Sequence, residues 1–321
     1  MFGQAKKLIE EANTIYMVAH TNPDGDAIGS TFAMYFALRK MGKQAKVIMP
    51  KYSDHFAFLP EISSAVDNVE EDEFDLLICL DSSSKERLAI NEMDYNKAKK
   101  VLMIDHHMED HPYGDVRCIN HSLPAVCQLV YEFLKELDVK IDLYIATYLY
   151  TGILTDSGSF NYSSTTPETL RMAADLIETG IHFWSICKRL NDTMKECKLR
   201  LIAKTIDNME SYFDGKMRYS YVDYATMQQL GIDDEDAEGM TNYLRSVEGT
   251  EIAVYVRERE DGTNKVSMRS GGNLDVSKIA LAFGGGGHPR AAGYTMLDEL
   301  DVAKEKLINV VEVMLSDGTP S

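Results

Sequence analysis

Three side chains that could bind a divalent metal ion lie close together near the N-terminus. They are His20, Asp24 and Asp26, in the segment HTNPDGDAIGS at residues 20–30. One imidazole and two carboxylates offer the nitrogen and oxygen ligands that Mn²⁺ or Mg²⁺ takes in proteins. An aspartate-rich turn that only caps a helix is the alternative explanation for this segment taken alone.

Further residues of the same chemical types follow apolar segments later in the chain. Asp81 follows the run at 74–80, the triplet at 105–107 follows the run at 101–104, and Asp156 ends a helical pattern at 141–155. The complete candidate set is His20, Asp24, Asp26, Asp81, His106, His107 and Asp156. Two histidines and four aspartates suffice for two metal sites if one carboxylate bridges, and a pair of divalent ions suits in-line displacement at phosphorus.

Each of these residues also has a structural explanation when it is taken singly. Asp81 could cap a strand end, His106 or His107 could be a hydrogen-bonded core histidine, and Asp156 could cap a turn. Their shared position at the ends of strands or helices favours the metal site over these separate explanations.

The elements that would position these side chains are predicted to form a buried parallel sheet. Residues 14–19 form a short apolar strand, and from Asp26 the apolar residues recur at helical spacing, so we expect Asp26 to cap that helix. The runs at 46–49, 74–80 and 101–104 are nearly continuous in apolar residues, as in strands covered on both faces. Open α/β sheets bind ligands beyond the carboxyl ends of such strands.

The pattern changes at about residue 212. Strands are expected at 217–222, 252–256, 265–269 and 294–296, with helices at 275–283 and 298–315. The sequence therefore predicts an α/β protein with a larger N-terminal domain (1–184) whose mainly parallel sheet is flanked by helices. A helical linker (185–211) and a smaller α/β domain with a mixed sheet (212–321) follow, and we expect the active site in the cleft between the domains.

A glycine run in the smaller domain is the second candidate binding element. Consecutive glycines at 284–287 allow backbone N–H groups to converge on a phosphate without interference from Cβ atoms. The candidate substrate-binding residues are Arg269, Ser270, Gly285, Gly286, Gly287 and His288. A flexible loop is the alternative for the glycine run.

Composition limits the class of partner. The 321 residues carry a formal net charge of −18, which argues against binding of long nucleic acid because phosphate contacts need a cationic surface. Five scattered cysteines without a C-x-x-C pair indicate reduced thiols. No apolar segment approaches the ~20 residues of a membrane span, and the N-terminus lacks the apolar core of a signal peptide. We therefore expect a cytoplasmic protein without a membrane partner.

The motifs together resemble those of the DHH phosphoesterases. They are the segment at 20–30, Leu80-Asp81-Ser82-Ser83, Asp105-His106-His107, TGILTDSGSF at 151–160, and GGGGHPRAAG at 284–293, which is similar to the DHH-associated C-terminal domain. The resemblance implies two Mn²⁺ ions per subunit, with Mg²⁺ as the alternative. His20, Asp24 and Asp81 would hold the first ion, and Asp26, Asp81, His106 and Asp156 the second. The bridging Asp81 with His106 and His107 would form the catalytic group, and His107 would face the substrate phosphate.

The compact two-domain form is similar to the bacterial nano-RNases and phosphoadenosine-phosphate phosphatases. That resemblance implies hydrolysis of dinucleotides such as pGpG or pApA to nucleoside monophosphates, and of pAp to AMP. The expected partners are short RNA oligonucleotides or small nucleotides, and a homodimer is left open. Two alternatives remain: a family II-type inorganic pyrophosphatase or polyphosphatase, and a nucleic-acid-binding module without catalysis.

Overall fold

Short apolar segments form the parallel sheet of the N-terminal unit in the computed structural model. The structure describes residues 1–107, 113–233, 236–272, 274–296 and 300–317, and the chain divides into two units, Met1–Thr193 and Met194–Ser321. The division falls within the predicted linker at 185–211. The strands of the first unit are β1 (Thr14–Val18), β2 (Gln44–Ile48), β3 (Phe74–Leu80), β4 (Ala98–Asp105) and β5 (Val116–Ile119).

The order of these strands creates a crevice at one edge of the sheet. They lie in the order β2-β1-β3-β4-β5 and all pair in parallel. The connections from β1 and from β3 therefore leave in opposite directions, which opens a crevice beyond the carboxyl ends of these two strands. Val18 pairs with Cys79, and Leu80 with Ile104, so the residues that follow the three strands lie side by side.

Helices pack against the sheet and bury the apolar side chains of its strands. They are α1 (Gly3–Glu11), α2 (Gly25–Lys40), α3 (Glu92–Tyr95), α4 (Val126–Glu136), α5 (Leu143–Asp156), α6 (Pro167–Glu178) and α7 (Phe183–Cys187). The main core packs α2, α4 and α5 against one face of the strands, and a smaller apolar cluster lies on the other face. The continuous apolar run of β3 is explained by this burial on both sides.

The C-terminal unit is built on a mixed sheet, as predicted. Its strands are β6 (Glu210–Tyr212), β7 (Met217–Val222), β8 (Ile252–Glu258), β9 (Asn264–Ser270), β10 (Gly286–His288) and β11 (Ala291–Met296). They lie in the order β10-β11-β9-β8-β7-β6, with β7 and β8 parallel and the other neighbours antiparallel. The helices are α8 (Glu196–Asp207), α9 (Tyr224–Leu230), α10 (Met240–Arg245), α11 (Val276–Ala282) and α12 (Leu300–Asp317).

Each face of this second sheet has its own cover. Helices α11 and α12 pack on one face through residues such as Ile279 and Leu307. Helices α8, α9 and α10 pack on the other face against Val222, Ala253 and Tyr255, at the β7–β8 side. Because α8 belongs to this core, the second half of the predicted linker is part of the C-terminal unit and covers the β7–β8 side of its sheet.

Two local expectations need correction. The helix after β1 is capped by Asp24 and not by Asp26, because the Asp24 side chain accepts hydrogen bonds from the backbone N–H groups of Asp26 and Ala27. The glycine run is not a loop throughout, since Gly286–His288 forms the edge strand β10.

All five cysteines are free thiols. Within the described ranges, no helix has both the length and the apolar character needed to cross a bilayer.

Candidate metal centre

The turn between β1 and α2 brings the first two candidate ligands together. His20 follows the end of β1, where its backbone forms an isolated bridge with Leu88. One oxygen of Asp24 is used as the helix cap, and the other, Oδ2, lies 4.0 Å from Nε2 of His20. The cap therefore fixes the carboxylate so that its second oxygen faces the imidazole.

Asp81 stands at the centre of the candidate site. It follows β3 with a φ of 54°, a left-handed conformation that is uncommon outside glycine, and only 2% of the residue is exposed. Its Oδ2 lies 3.9 Å from Nε2 of His20, and its Oδ1 lies 3.7 Å from Nε2 of His106. Oδ1 has no hydrogen-bond partner among the residues that the structure describes. A buried carboxylate oxygen in that position calls for a cation.

A second group of ligand-type atoms lies on the other side of Asp81. Ligand atoms of Asp26, His106 and Asp156 all lie within 4.8 Å of one another, and the same holds for His20, Asp24 and Asp81. Nδ1 of His106 is 3.0 Å from the carbonyl oxygen of Leu123, so the ring donates there and keeps the lone pair of Nε2 for a metal. Nε2 lies 3.5 Å from Oδ2 of Asp156.

The electrostatics of the site show that it lacks positive charge. Burial raises the pKa of Asp26 and of Asp156, the latter to about 9, and neighbouring carboxylates add to the effect. The pKa of Asp81 is raised well above its usual value by burial and by the charges of Asp26, Asp24, Asp156 and Asp105. Burial lowers the pKa of His20, which favours the neutral imidazole that a metal ligand must be. The donor set therefore fits divalent cations.

His107 has a different environment from the other candidates. Its Nδ1 lies 2.8 Å from Oδ1 of Asp105 and 3.4 Å from Oδ1 of Asp81. The hydrogen bond to Asp105 raises the pKa of His107. Burial would raise the pKa of Asp105, but the hydrogen bonds from His107 and His106 outweigh it and lower that pKa. Asp105 therefore stays ionised, orients the imidazole of His107 and favours its protonated form. Among the residues that the structure describes, Nε2 of His107 has no hydrogen-bond partner.

Sequence reasoning did not single out two residues of this site. Asp105 belongs to the triplet at 105–107 but was not one of the candidate ligands. Its buried position at the end of β4 and its hydrogen bond with His107 mark it as the partner of that imidazole. The positive charge of Arg87 opposes protonation of both His20 and His107; the pKa of His107 is nevertheless raised because the hydrogen bond to Asp105 outweighs this charge. The carbonyl of Arg87 accepts a hydrogen bond from the N–H of Thr21. This long-range pairing has no local sequence signal.

The candidate substrate-binding residues lie in the C-terminal unit. The expectation that the N–H groups of the glycine run converge on a phosphate needs correction for Gly285. Arg269 on β9, Ala291 on β11 and His288 on β10 are paired across three neighbouring strands. The N–H of Gly285 donates to the carbonyl of Ala280 and ends α11, so it is not directed at a phosphate. A Cβ at Gly287 would lie 2.5 Å from the Ala291 carbonyl oxygen, so close strand packing also requires glycine. The hydroxyl of Ser270 donates to the carbonyl of Gly272.

A cationic cavity of about 480 Å³ lies beside the first residues of α10, on the face of the C-terminal sheet that carries α8–α10. Its floor contains small residues, including Gly287, Ser267 and Gly293. Its basic lining residues are Arg257, Arg259, Lys265 and Arg269, with Glu238 as the acidic one. Lys265 lies directly opposite Arg257 in the strand pairing. Like charges in such a pair repel, so the arrangement is suited to an anionic ligand.

The chain matches two family models. The model described as DHH family, N-terminal domain, matches residues 14–153, and the DHHA1 domain matches residues 214–316. The chain as a whole is 34% identical over 306 residues to a protein of Thermus thermophilus named bifunctional oligoribonuclease and PAP phosphatase NrnA, with 94% of this chain and 90% of the relative covered.

Solved structures give the same picture of the fold. An exopolyphosphatase-related protein from Bacteroides fragilis has a TM-score of 0.89 and 26% identity, with 98% of each chain covered. An exonuclease RecJ bound to manganese has a TM-score of 0.54 and 15% identity, with 99% of this chain and 94% of that chain covered. The likeness in fold thus extends over most of this chain.

Proposed function

The chain belongs to the DHH family, and we propose that it is a phosphoesterase that hydrolyses very short RNA oligonucleotides to nucleoside monophosphates and converts pAp to AMP. The observation that carries the proposal is the pair of ligand clusters that meet at the buried carboxylate of Asp81. The Thermus relative is named for both activities. Hydrolysis of a phosphodiester and removal of a phosphate use the same reaction at phosphorus.

Two divalent cations fit the donor set, and we propose Mn²⁺ as the preferred ion. His20, Asp24 and Asp81 would hold one, and Asp26, His106 and Asp156 the other, with Asp81 shared. Imidazole ligands favour Mn²⁺ over Mg²⁺, which prefers all-oxygen sites. When bound, such a pair supplies a water of lowered pKa and neutralises charge on the phosphoryl group.

The protein's own side chains would orient the scissile phosphate. His107 keeps its Nδ1 on Asp105 and would donate a hydrogen bond from Nε2 to a phosphate oxygen. Because Asp105 raises the pKa of His107, the donor would carry positive charge over a wider pH range. Arg87, whose charge reaches both His20 and His107, would attract the same anion.

The cationic cavity of the C-terminal unit is the proposed second contact. A phosphate of the nucleotide that is not attacked would bind there to Arg269 on β9, with His288 on the edge strand β10, beyond β11. Short substrates need only these two anchoring points. A longer strand would gain little more, because the protein as a whole carries a net charge of −18.

A polyphosphatase or pyrophosphatase is the second candidate. The Bacteroides neighbour is described as exopolyphosphatase-related, and the four basic side chains at the cavity would also suit a polyphosphate. A binding module without catalysis is the weakest alternative, because every proposed ligand side chain is present and clustered.

The deciding experiment compares substrates under one condition. Hydrolysis of pGpG, pApA, pAp, pyrophosphate and an RNA 24-mer is measured with Mn²⁺. We expect kcat/KM to fall steeply between the dinucleotides and the 24-mer. Arg269→Ala and His288→Ala should raise KM for dinucleotides by one to two orders of magnitude, since a charged hydrogen bond contributes ~1.5–3 kcal/mol. Preference for pyrophosphate would favour the alternative, and equal rates on both RNA lengths would contradict the proposal.

A further inference from the structure

Gly152 lies where a side chain would collide with a proposed metal ligand. It sits on α5 one helical turn before Asp156. A Cβ at this position would lie 2.8 Å from Oδ1 of Asp26, 3.0 Å from its Cα and 2.2 Å from Sγ of Cys127. Asp26 and Cys127 are both fully buried, so a shift of either residue would displace its packed neighbours.

The Asp26 carboxylate is held from its other side by backbone groups of α4. Its Oδ2 accepts a hydrogen bond from the N–H of Val126 at 2.5 Å, and its Oδ1 accepts one from the N–H of Cys127 at 2.9 Å. The residue that precedes α4, Ala125, has no side chain able to cap the helix. Asp26 therefore caps a helix that begins 100 residues later, and it lies between that helix and Gly152.

The close approach extends along α2 and α5. A Cβ at Gly29 would lie 2.5 Å from the carbonyl oxygen of Tyr148 and 2.8 Å from Sγ of Cys127. The two helices that carry Asp26 and Asp156 thus approach through glycine, and their ligand atoms lie within 4.8 Å of each other and of His106.

We propose that Gly152 is a positioning residue for metal binding: the missing side chain lets the Asp26 carboxylate sit between α4 and α5 at the distance from Asp156 and His106 that one ion needs. The inference rests on the proposed function, because it takes this cluster as a metal site. Displacement of Asp26 would weaken this cluster and leave His20, Asp24 and Asp81 in place. Changes beside metal ligands commonly reduce metal affinity 10- to 100-fold.

The test is the binding of Mn²⁺ to metal-stripped protein without substrate, measured by calorimetry and by electron paramagnetic resonance of the free ion. We expect the wild type to bind two ions and Gly152→Ala to bind one of them at least tenfold more weakly. Gly3→Ala is the matched control, because a Cβ at Gly3 meets nothing within 4 Å. Circular dichroism and thermal unfolding of the metal-free variants establish that the fold is retained.

A second variant keeps the test decisive if Gly152→Ala does not fold. Cys127→Ala removes the sulfur nearest to the new methyl group but retains the N–H that binds Asp26. Cys127→Ala alone is the reference for the double variant, because its thiol also contacts the carbonyl of Asp26. The double variant Cys127→Ala/Gly152→Ala should fold and bind one ion at least tenfold more weakly than Cys127→Ala, because the contact of the new methyl group with Asp26 remains. Wild-type affinity in Gly152→Ala or in the double variant would overturn the inference. A wild-type protein that binds no Mn²⁺ would overturn the proposed function as well.

Discussion

Replacing the proposed metal ligand Asp156 should make the metal-free protein more stable while it abolishes activity. Asp156→Asn keeps the shape of the side chain and removes its charge. Burial and the neighbouring carboxylates Asp26 and Asp24 raise the pKa of Asp156 to about 9. A raised pKa means that the folded state binds this proton more tightly than the unfolded state, so the group opposes folding once the pH exceeds its usual pKa.

The size of the effect follows from that difference. Between the ordinary aspartate pKa of 3.8 and pH 7 there are about three pH units, and each corresponds to about 1.4 kcal/mol. Asp156→Asn should therefore raise the free energy of unfolding by up to about 4 kcal/mol at pH 7. The gain should vanish below pH 4 and level off near pH 9. Bound Mn²⁺ should reverse the order by stabilising the wild type more than the variant.

Urea unfolding of the chelator-treated protein at pH 4, 7 and 9 measures this difference. The chain has one tryptophan, Trp184, which lies in the same unit as Asp156, so its fluorescence reports on that unit beside circular dichroism. Asp192→Asn, which alters an exposed carboxylate of that unit, is the control. A stability difference below 1 kcal/mol at pH 7, or one of equal size at pH 4, would refute the reasoning.

Three further predictions concern the metal ions and the fold. Asp81→Ala should fold and lose hydrolysis of every substrate, and a kcat above about a tenth of the wild-type value, a loss of only ~1.4 kcal/mol, would contradict the two-metal assignment. Exhaustive chelation should abolish activity, with Mn²⁺ restoring it better than Mg²⁺, and activity that survives chelation would exclude the metal requirement. Asp75→Asn should lower the free energy of unfolding by ~1–2 kcal/mol at pH 7. Hydrogen bonds from the N–H groups of Thr14 and Asn13 lower the pKa of Asp75, so this stabilisation should begin to decline as the pH falls below about 4 and be lost only below the lowered pKa of the folded state. A loss of equal size at pH 7 and pH 2 would argue against the charge.

The sequence predicted four of the five strands of the first sheet because their information is local, and it missed the short edge strand β5. A strand must be apolar along the length that is buried on both faces, and residues 76–80 of β3 and 101–104 of β4 meet that requirement. Polar residues directly after such runs lie at the same edge of a parallel sheet, which is why His20, Asp81 and His106 were expected together. The strand order, which the sequence did not predict, places β1, β3 and β4 side by side.

What the sequence left hidden depends on contacts between distant segments. Asp26 seemed to cap its own helix, but the short turn gives that task to Asp24 and frees Asp26 for α4. Arg87 comes near the site only because Leu88 pairs with His20. The edge strand Gly286–His288 escaped prediction because glycine carries no side chain from which an alternating pattern could be recognised.

The bond between Asp26 and the start of α4 also has a dynamic consequence. The first amides of a helix lack partners within the helix and usually exchange their hydrogens with solvent readily. The amides of Val126 and Cys127 are tied instead to a buried carboxylate. They exchange only when α2 and α4 separate, so their exchange rates measure how often the centre of the N-terminal unit opens.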